Sequence, residues 1–63
     1  MCLSTVYALG NGEKEQIAKN VAEVKVRDGR LYFTDIMGSV VEEDADIELV
    51  DLTDSFIYIR RRA

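Results

Sequence analysis

The side chain with the most distinctive chemistry in this chain of 63 residues is its only cysteine, which stands at position 2. A cysteine thiolate is a soft metal ligand, and at a chain terminus it lies beside main-chain nitrogens that can also bind a metal. If Met1 is retained, its α-amine, the Cys2 amide nitrogen and the Cys2 thiolate can close two fused chelate rings on one ion. If Met1 is removed, the Cys2 α-amine and thiolate close a five-membered ring. Either set of nitrogen and sulfur donors suits a square-planar ion such as Ni(II) or Cu(II).

One chain terminus fills only part of a metal's coordination sphere. Zinc prefers four tetrahedral side-chain ligands, which a chain with one cysteine and no histidine does not supply. A two-fold homodimer would bring two Cys2 residues together and complete an N₂S₂ set. The sequence therefore predicts Cys2 and Met1 as metal ligands at a homodimer interface. The alternative is that Cys2 is a small, inert residue that begins an edge strand.

The other motifs do not indicate an enzyme. Without histidine the chain lacks the commonest general base near neutral pH, and its serines have no recognisable basic partner. The stretch GNG at residues 10–12 lacks the lysine and the following helix that a phosphate-binding loop needs. The acidic run EEDADIE has no EF-hand pattern and alternates with apolar residues, as the solvent-facing side of a strand does. We expect a protein without catalytic residues.

The charge balance disfavours nucleic acid as a partner. Twelve acidic and eight basic side chains give a formal charge of −4, which repels a phosphate backbone unless the basic residues are segregated on one face. The only basic run is RRR near the C-terminus. An RNA-binding or protein-interaction module is therefore the alternative function, and its site would combine aromatic stacking with this run. Its residues would be Tyr7, Tyr32, Tyr58, Arg60, Arg61 and Arg62.

Length and composition indicate a single domain over residues 1–63. Hydrophobic residues make up 48% of the chain and charged residues 32%, a globular composition. A domain of this size buries only about 60% of the surface that its unfolded chain exposes, so we expect a metal or a partner subunit to stabilise it. A single cysteine, no signal peptide and no apolar run long enough to span a membrane predict a cytoplasmic protein with no membrane partner.

Short strands and tight turns dominate the chain. Residues 2–9 are rich in β-branched and aromatic side chains and lead into a turn at residues 10–12. The next stretch, EKEQIAKNVAEVKV, is ambiguous, because its apolar residues fit helical spacing at first and alternate later. Asp28 and Gly29 then form a two-residue hairpin signal. Pairing across it predicts a hairpin with one apolar face, and a helical turn before the hairpin stays possible. The predicted pairs are Arg27 with Arg30, Val26 with Leu31, Lys25 with Tyr32, and Val24 with Phe33.

The second half of the chain continues this pattern. A bend at Gly38 and Ser39 separates short strands, and the stretch TDS joins DIELVDL to FIYIRR. Both of these last strands carry apolar residues on both faces, which indicates a central position in a sheet or a subunit contact. Five to seven short antiparallel strands in one small domain predict an all-β fold, a small closed or half-open barrel.

Several stretches of the sequence also resemble one known family. They are the start MC, VY at residues 6–7, NGEKE, VAEVKVRDGRLYFTDIMG and IELVDLTDSFIYI. Over nearly the whole chain they are similar to the CooT family, small nickel-binding accessory proteins of carbon monoxide dehydrogenase maturation. The resemblance implies a homodimeric β-barrel whose Ni(II) ligand is the cysteine after the initiator methionine, here Cys2. It also implies a nickel enzyme as client, while the label "predicted RNA-binding protein" that relatives carry keeps the alternative function open.

Overall fold

Six β-strands make up the fold in a computed structural model, which describes residues 3–62. Met1, Cys2 and Ala63 lie outside the described residues. Within residues 3–62 there is no helix, and so none that is long and apolar enough to cross a membrane. The strands are β1 (Ser4–Gly10), β2 (Glu13–Arg27), β3 (Arg30–Asp35), β4 (Val40–Glu43), β5 (Ala45–Asp51) and β6 (Phe56–Arg61).

The strands form one curled sheet in the order β4-β3-β2-β1-β6-β5. Contacts between β3 and β5 bring its two ends towards each other, which makes the sheet a half-barrel. The predicted all-β class, strand number and barrel-like shape are confirmed. The sheet is mixed rather than wholly antiparallel, because β6 returns to lie parallel to β1. Hairpin signals in the sequence report only neighbouring strands, so they carry no information about this long-range pair.

The hairpin between β2 and β3 has the predicted register. Asp28 and Gly29 both have positive φ angles, 53° and 77°, as a type I′ turn requires. All four predicted cross-strand pairs, from Arg27 with Arg30 to Val24 with Phe33, are present. The predicted turn after β1 is of the same kind, with φ angles of 52° at Asn11 and 75° at Gly12. Local turn chemistry therefore determines both hairpins.

The possible helical turn before the hairpin is absent, and its residues belong to the 15-residue strand β2. The helical spacing of Ile17 and Val21 arises from irregularities in the strand. The register with β1 shifts twice, between Ser4 and Val6 and between Val6 and Tyr7. Asn20 adopts a φ angle of 56° near the first of these bulges. Each bulge inserts an extra residue and increases the local twist, so β2 can curve around the core while its apolar residues depart from strict alternation.

The predicted bend between β3 and β4 is also present. Gly38 has a φ angle of 89°, and the Asp35 carboxylate accepts hydrogen bonds from the amides of Met37 and Ser39 at 2.8 and 3.0 Å. The side chain of Asp35 thus accepts hydrogen bonds from two amides of the bend. The turn leaves Met37 exposed at the far end of the hairpin.

The core lies on the concave face of the half-barrel. It consists of eight buried apolar residues from five strands: Val6, Ala8, Val21, Leu31, Phe33, Ala45, Ile57 and Ile59. Burial of a large aliphatic or aromatic side chain contributes about 1.5–3 kcal/mol each, so a core of this size gives a marginal domain. Because the barrel is only half closed, apolar side chains along its rim, above all on β5, stay open to solvent.

Candidate functional site

The predicted metal ligands Met1 and Cys2 lie outside the described residues, and the first strand contacts after them are those of Ser4 and Thr5. Ser4 begins β1 opposite Val21 of β2, and Thr5 pairs with Phe56 at the start of β6. The amide of Thr5 also donates a hydrogen bond of 3.0 Å to the carbonyl oxygen of Ser55. These contacts anchor the chain two residues after the cysteine.

An apolar groove lies at the point where β1 begins. Its volume is about 190 Å³, and it contains residues of four strands and of the loop after β5. The side chains of Val50 and Leu52 line it and are 49% and 79% exposed, although Ile57 at its base is buried. The full lining is Ser4, Val21, Ala22, Glu23, Val24, Val50, Leu52 and Ile57. The groove thus leaves apolar side chains open to solvent at the start of β1.

The acidic residues of the sheet do not form a metal site within the described range. Between residues 3 and 62 no three carboxylates converge as a ligand set. Carboxylates of the acidic run EEDADIE instead accept hydrogen bonds from arginines at the C-terminal end of β6. The bonds are Arg60 to Glu48 at 2.9 and 3.1 Å, Arg61 to Glu43 at 2.8 and 3.2 Å, and Arg62 to Asp44 and Asp46 at 2.6 Å each.

These ion pairs occupy the positive charges of the basic run at residues 60–62. Arg60 donates hydrogen bonds to Glu48, and Arg61 donates them to Glu43; each carboxylate raises the pKa of its guanidinium above the ordinary value. Asp46 and Asp44, which accept hydrogen bonds from Arg62, raise the pKa of Arg62 in the same way. In return, the hydrogen bond from Arg60 lowers the pKa of Glu48. The three arginines therefore connect the end of β6 to β4, β5 and the residue between them. They do not form a free cationic patch that could bind a phosphate backbone.

The three tyrosines of the alternative site do not lie together. Tyr7 and Tyr58 are neighbours on the convex face, with ring centroids 5.9 Å apart at an interplanar angle of 70°. Tyr32 lies on β3, which is separated from β1 by β2. Its hydroxyl group is 3.5 Å from a carboxylate oxygen of Glu42, which also accepts a hydrogen bond from Arg30. The structure thus brings two of the predicted tyrosines together and leaves the third apart.

Two further residues join the convex aromatic cluster that the sequence did not single out. The ring of Phe56 lies 4.7 Å from that of Tyr58, and the ammonium group of Lys14 lies 5.0 Å from the centroid of Tyr7. The cation–π contact holds the lysine against the sheet. The β1–β2 register could have indicated Lys14, because hairpin pairing places it opposite Leu9 and beside Tyr7. Phe56 follows from the parallel β1–β6 pair, which the sequence does not indicate.

Comparison with known proteins identifies one family. The family model described as CO dehydrogenase accessory protein CooT matches residues 1–60 of the chain. A crystal structure assigned to CooT from Carboxydothermus hydrogenoformans superposes with a TM-score of 0.91. That comparison covers 98% of this chain and 100% of the other at 19% sequence identity, so it supports the fold. No curated protein sequence matches the chain.

Proposed function

The chain belongs to the CooT family of CO dehydrogenase accessory proteins, and we propose that within this family it acts as a nickel-binding protein without enzymatic activity of its own. The observation that carries the proposal is the chain's only cysteine at position 2, inside the range that the family model matches. No histidine in the sequence competes with it as a metal ligand.

The proposed ligands are the Cys2 thiolate and the main-chain nitrogens beside it, including the α-amine of Met1 where that residue is retained. A thiolate and an amine on adjacent atoms form a compact chelate, and N,S donor sets favour square-planar Ni(II). The carboxylates of residues 3–62 do not offer an alternative, since they are oxygen donors and form no cluster of three. Oxygen donors also suit hard cations rather than nickel.

We place this nickel site at a homodimer interface. The groove beside Ser4 exposes Val50 and Leu52, and a second copy would remove these side chains from water. β5 is an edge strand of the sheet and also exposes Ile47 and Leu49. A two-fold axis near the groove would bring the two N-termini together, so that each supplies half of an N₂S₂ set.

The family description supports a CO dehydrogenase as the partner, and we propose that the dimer delivers Ni(II) to that enzyme or to a similar nickel enzyme in the cytoplasm. A single cysteine and no internal disulfide agree with a reducing compartment. RNA binding is the weaker proposal. Its arginines are paired with carboxylates of the same chain, and Tyr32 lies apart from Tyr7 and Tyr58.

Titration with Ni(II) followed by absorbance spectroscopy tests the ligand assignment. We expect a sulfur-to-nickel charge-transfer band that saturates at one metal per two chains. The variant Cys2→Ser should lose the band and bind nickel more than about 100-fold more weakly, because removing a ligand costs more than removing a supporting contact.

A matched control keeps a thiol but moves it away from the terminal nitrogens. In the double variant Cys2→Ser with Ser4→Cys, the thiol sits two residues further along the chain, where it cannot close a five-membered ring with the α-amine. We expect this variant not to recover the band. Unchanged nickel affinity in Cys2→Ser would overturn the proposal, and full recovery in the double variant would exclude the terminal nitrogens as ligands.

A further inference from the structure

The turn between β1 and β2 places a glycine directly after an asparagine. Asn11 and Gly12 are its two central residues, both exposed, with φ angles of 52° and 75°. A type I′ turn bonds only the residues that flank the central pair, here Gly10 and Glu13, which also end the β1–β2 ladder. Among residues 3–62 the amide of Gly12 donates no hydrogen bond. The nitrogen of Gly12 is therefore free of partners and open to water.

An amide nitrogen that follows an asparagine can react with the asparagine side chain. The nitrogen of Gly12 gives up its proton to the solvent and attacks Cγ of Asn11. The bond from Cγ to Nδ2 breaks, and Nδ2 leaves as ammonia with a proton from water. A five-membered succinimide ring results. Water then adds to either carbonyl carbon of the ring and opens it to aspartate or isoaspartate, so water is the only co-reactant.

Ring closure needs a rotation that this turn permits. The nitrogen of Gly12 faces Cγ when the ψ angle of Asn11 is about −120°, the value at the first central residue of a type II′ turn. Types I′ and II′ share a positive φ at that residue and both close two-residue hairpins, so only the peptide plane between the two residues has to turn over. Gly12 accepts a φ angle of either sign. The rotation therefore leaves the strand pairs on both sides intact.

The only other asparagine of the chain shows that a positive φ angle is not sufficient. Asn20 has a φ angle of 56°, but the next residue is Val21, which is 4% exposed and pairs with both β1 and β3. The carbonyl oxygen of Asn20 accepts a hydrogen bond of 3.0 Å from the amide of Ile36. Turning over the peptide between Asn20 and Val21 would break this bond and displace a core side chain.

We propose that Asn11 is a site of spontaneous deamidation in the folded protein and that isoaspartate is its main product. Isoaspartate continues the chain through its side-chain carbon, which adds one atom to the backbone of the turn. A two-residue loop cannot keep its type I′ geometry with that extra atom. The new carboxylate also enters a recess that already contains Glu13 and Glu15, and the one cation of this lining, Arg61, already pairs with Glu15. The modification therefore weakens the hairpin of β1 and β2.

This inference goes beyond nickel binding. It depends on the turn at residues 10–13 and not on the metal ligands. A failure of either proposal leaves the other unaffected.

The test incubates the protein in mildly alkaline buffer and follows residues 11 and 20 by peptide mapping with tandem mass spectrometry. We expect Asn11 to convert at least tenfold faster than Asn20, with more isoaspartate than aspartate. The matched variant Asn11→Gln should stay unmodified over the same time, because its longer side chain would have to close a six-membered ring.

A parallel incubation in urea separates the rotation from unfolding. Because the rotation keeps the strand pairs, we expect Asn11 to react no more than tenfold more slowly in the folded chain than in the unfolded one. A reaction that required unfolding would be slower in the folded chain by a factor on the order of a hundred or more.

The variant Asn11→Asp is the control for the product, since it carries the new charge without the extra backbone atom. We expect the isoaspartyl form, isolated by ion-exchange chromatography, to unfold at a lower urea concentration than Asn11→Asp. Less than a tenfold preference for Asn11 over Asn20, more than tenfold protection by the fold, or an isoaspartyl form as stable as Asn11→Asp would each overturn the proposal.

Discussion

Replacing Leu52 with serine should weaken the homodimer without destabilising the fold of each protomer. Leu52 is 79% exposed and lines the groove at the start of β1, so it contributes little to the core of its own chain. Full burial of a leucine side chain contributes about 1.5–3 kcal/mol, so burying the exposed part contributes about 1.2–2.4 kcal/mol per protomer. In a two-fold symmetric dimer each protomer buries its own Leu52, so the substitution would cost about 2.4–4.7 kcal/mol of the free energy of dimerisation. This corresponds to a rise of about 50- to 3,000-fold in the dimer dissociation constant.

Sedimentation velocity over a dilution series measures this constant directly. The matched control is Met37→Ser, since Met37 is 85% exposed in the turn between β3 and β4 and does not line the groove. The control should dimerise like the parent chain, and both variants should unfold as monomers at the same denaturant concentration. The same dissociation constant for Leu52→Ser and for the parent chain would show that the groove is not the interface.

The remaining predictions concern the stability of the sheet. Ile59→Ala removes a fully buried side chain and should cost about 2–5 kcal/mol of the free energy of unfolding. That loss is more than half of the roughly 3–9 kcal/mol expected for the free energy of unfolding of a chain of this length. The control is Ile47→Ala, because Ile47 pairs with Ile59 from the neighbouring strand β5 but is exposed, and urea denaturation should show a much smaller loss for it. Arg60 lowers the pKa of Glu48 below its ordinary value of 4.5, so the ion pair stabilises the fold above that pH and its contribution is lost as the pH falls through the lowered pKa. Glu48→Gln should therefore be slightly less stable than the parent at neutral pH and equal to it in acid, and a difference that does not change with pH would contradict this reading.

Local turn chemistry explains how much of the fold the sequence predicts. Asp28 and Gly29 specify a two-residue turn, and the alternation on either side allows only one register, so every predicted pair of that hairpin is present. The irregular part of β2 could not be predicted in the same way. Bulges near Ile17 and Asn20 give the apolar residues a spacing close to that of a helix. These bulges are register shifts in the pairing of β2 with β1, so they become visible only when the two strands are paired.

Long-range pairing explains what the sequence leaves open about the site. The parallel pairing of β6 with β1 determines which residues lie beside the start of β1, and no turn signal encodes it. The sequence alone predicts the basic run near the C-terminus to be a solvated tail or, in the alternative function, a cationic patch. The fold instead places carboxylates of β5 and β4 beside Arg60 and Arg61. Each of these features follows from contacts between residues far apart in the chain.

Native mass spectrometry of the protein with one equivalent of Ni(II) per two chains tests whether two Cys2 thiolates share one nickel ion. We expect a dimer that carries a single nickel ion, and protein without bound nickel in the Cys2→Ser variant. One nickel ion on each monomer, or a dimer of Cys2→Ser that still holds the metal, would contradict this expectation.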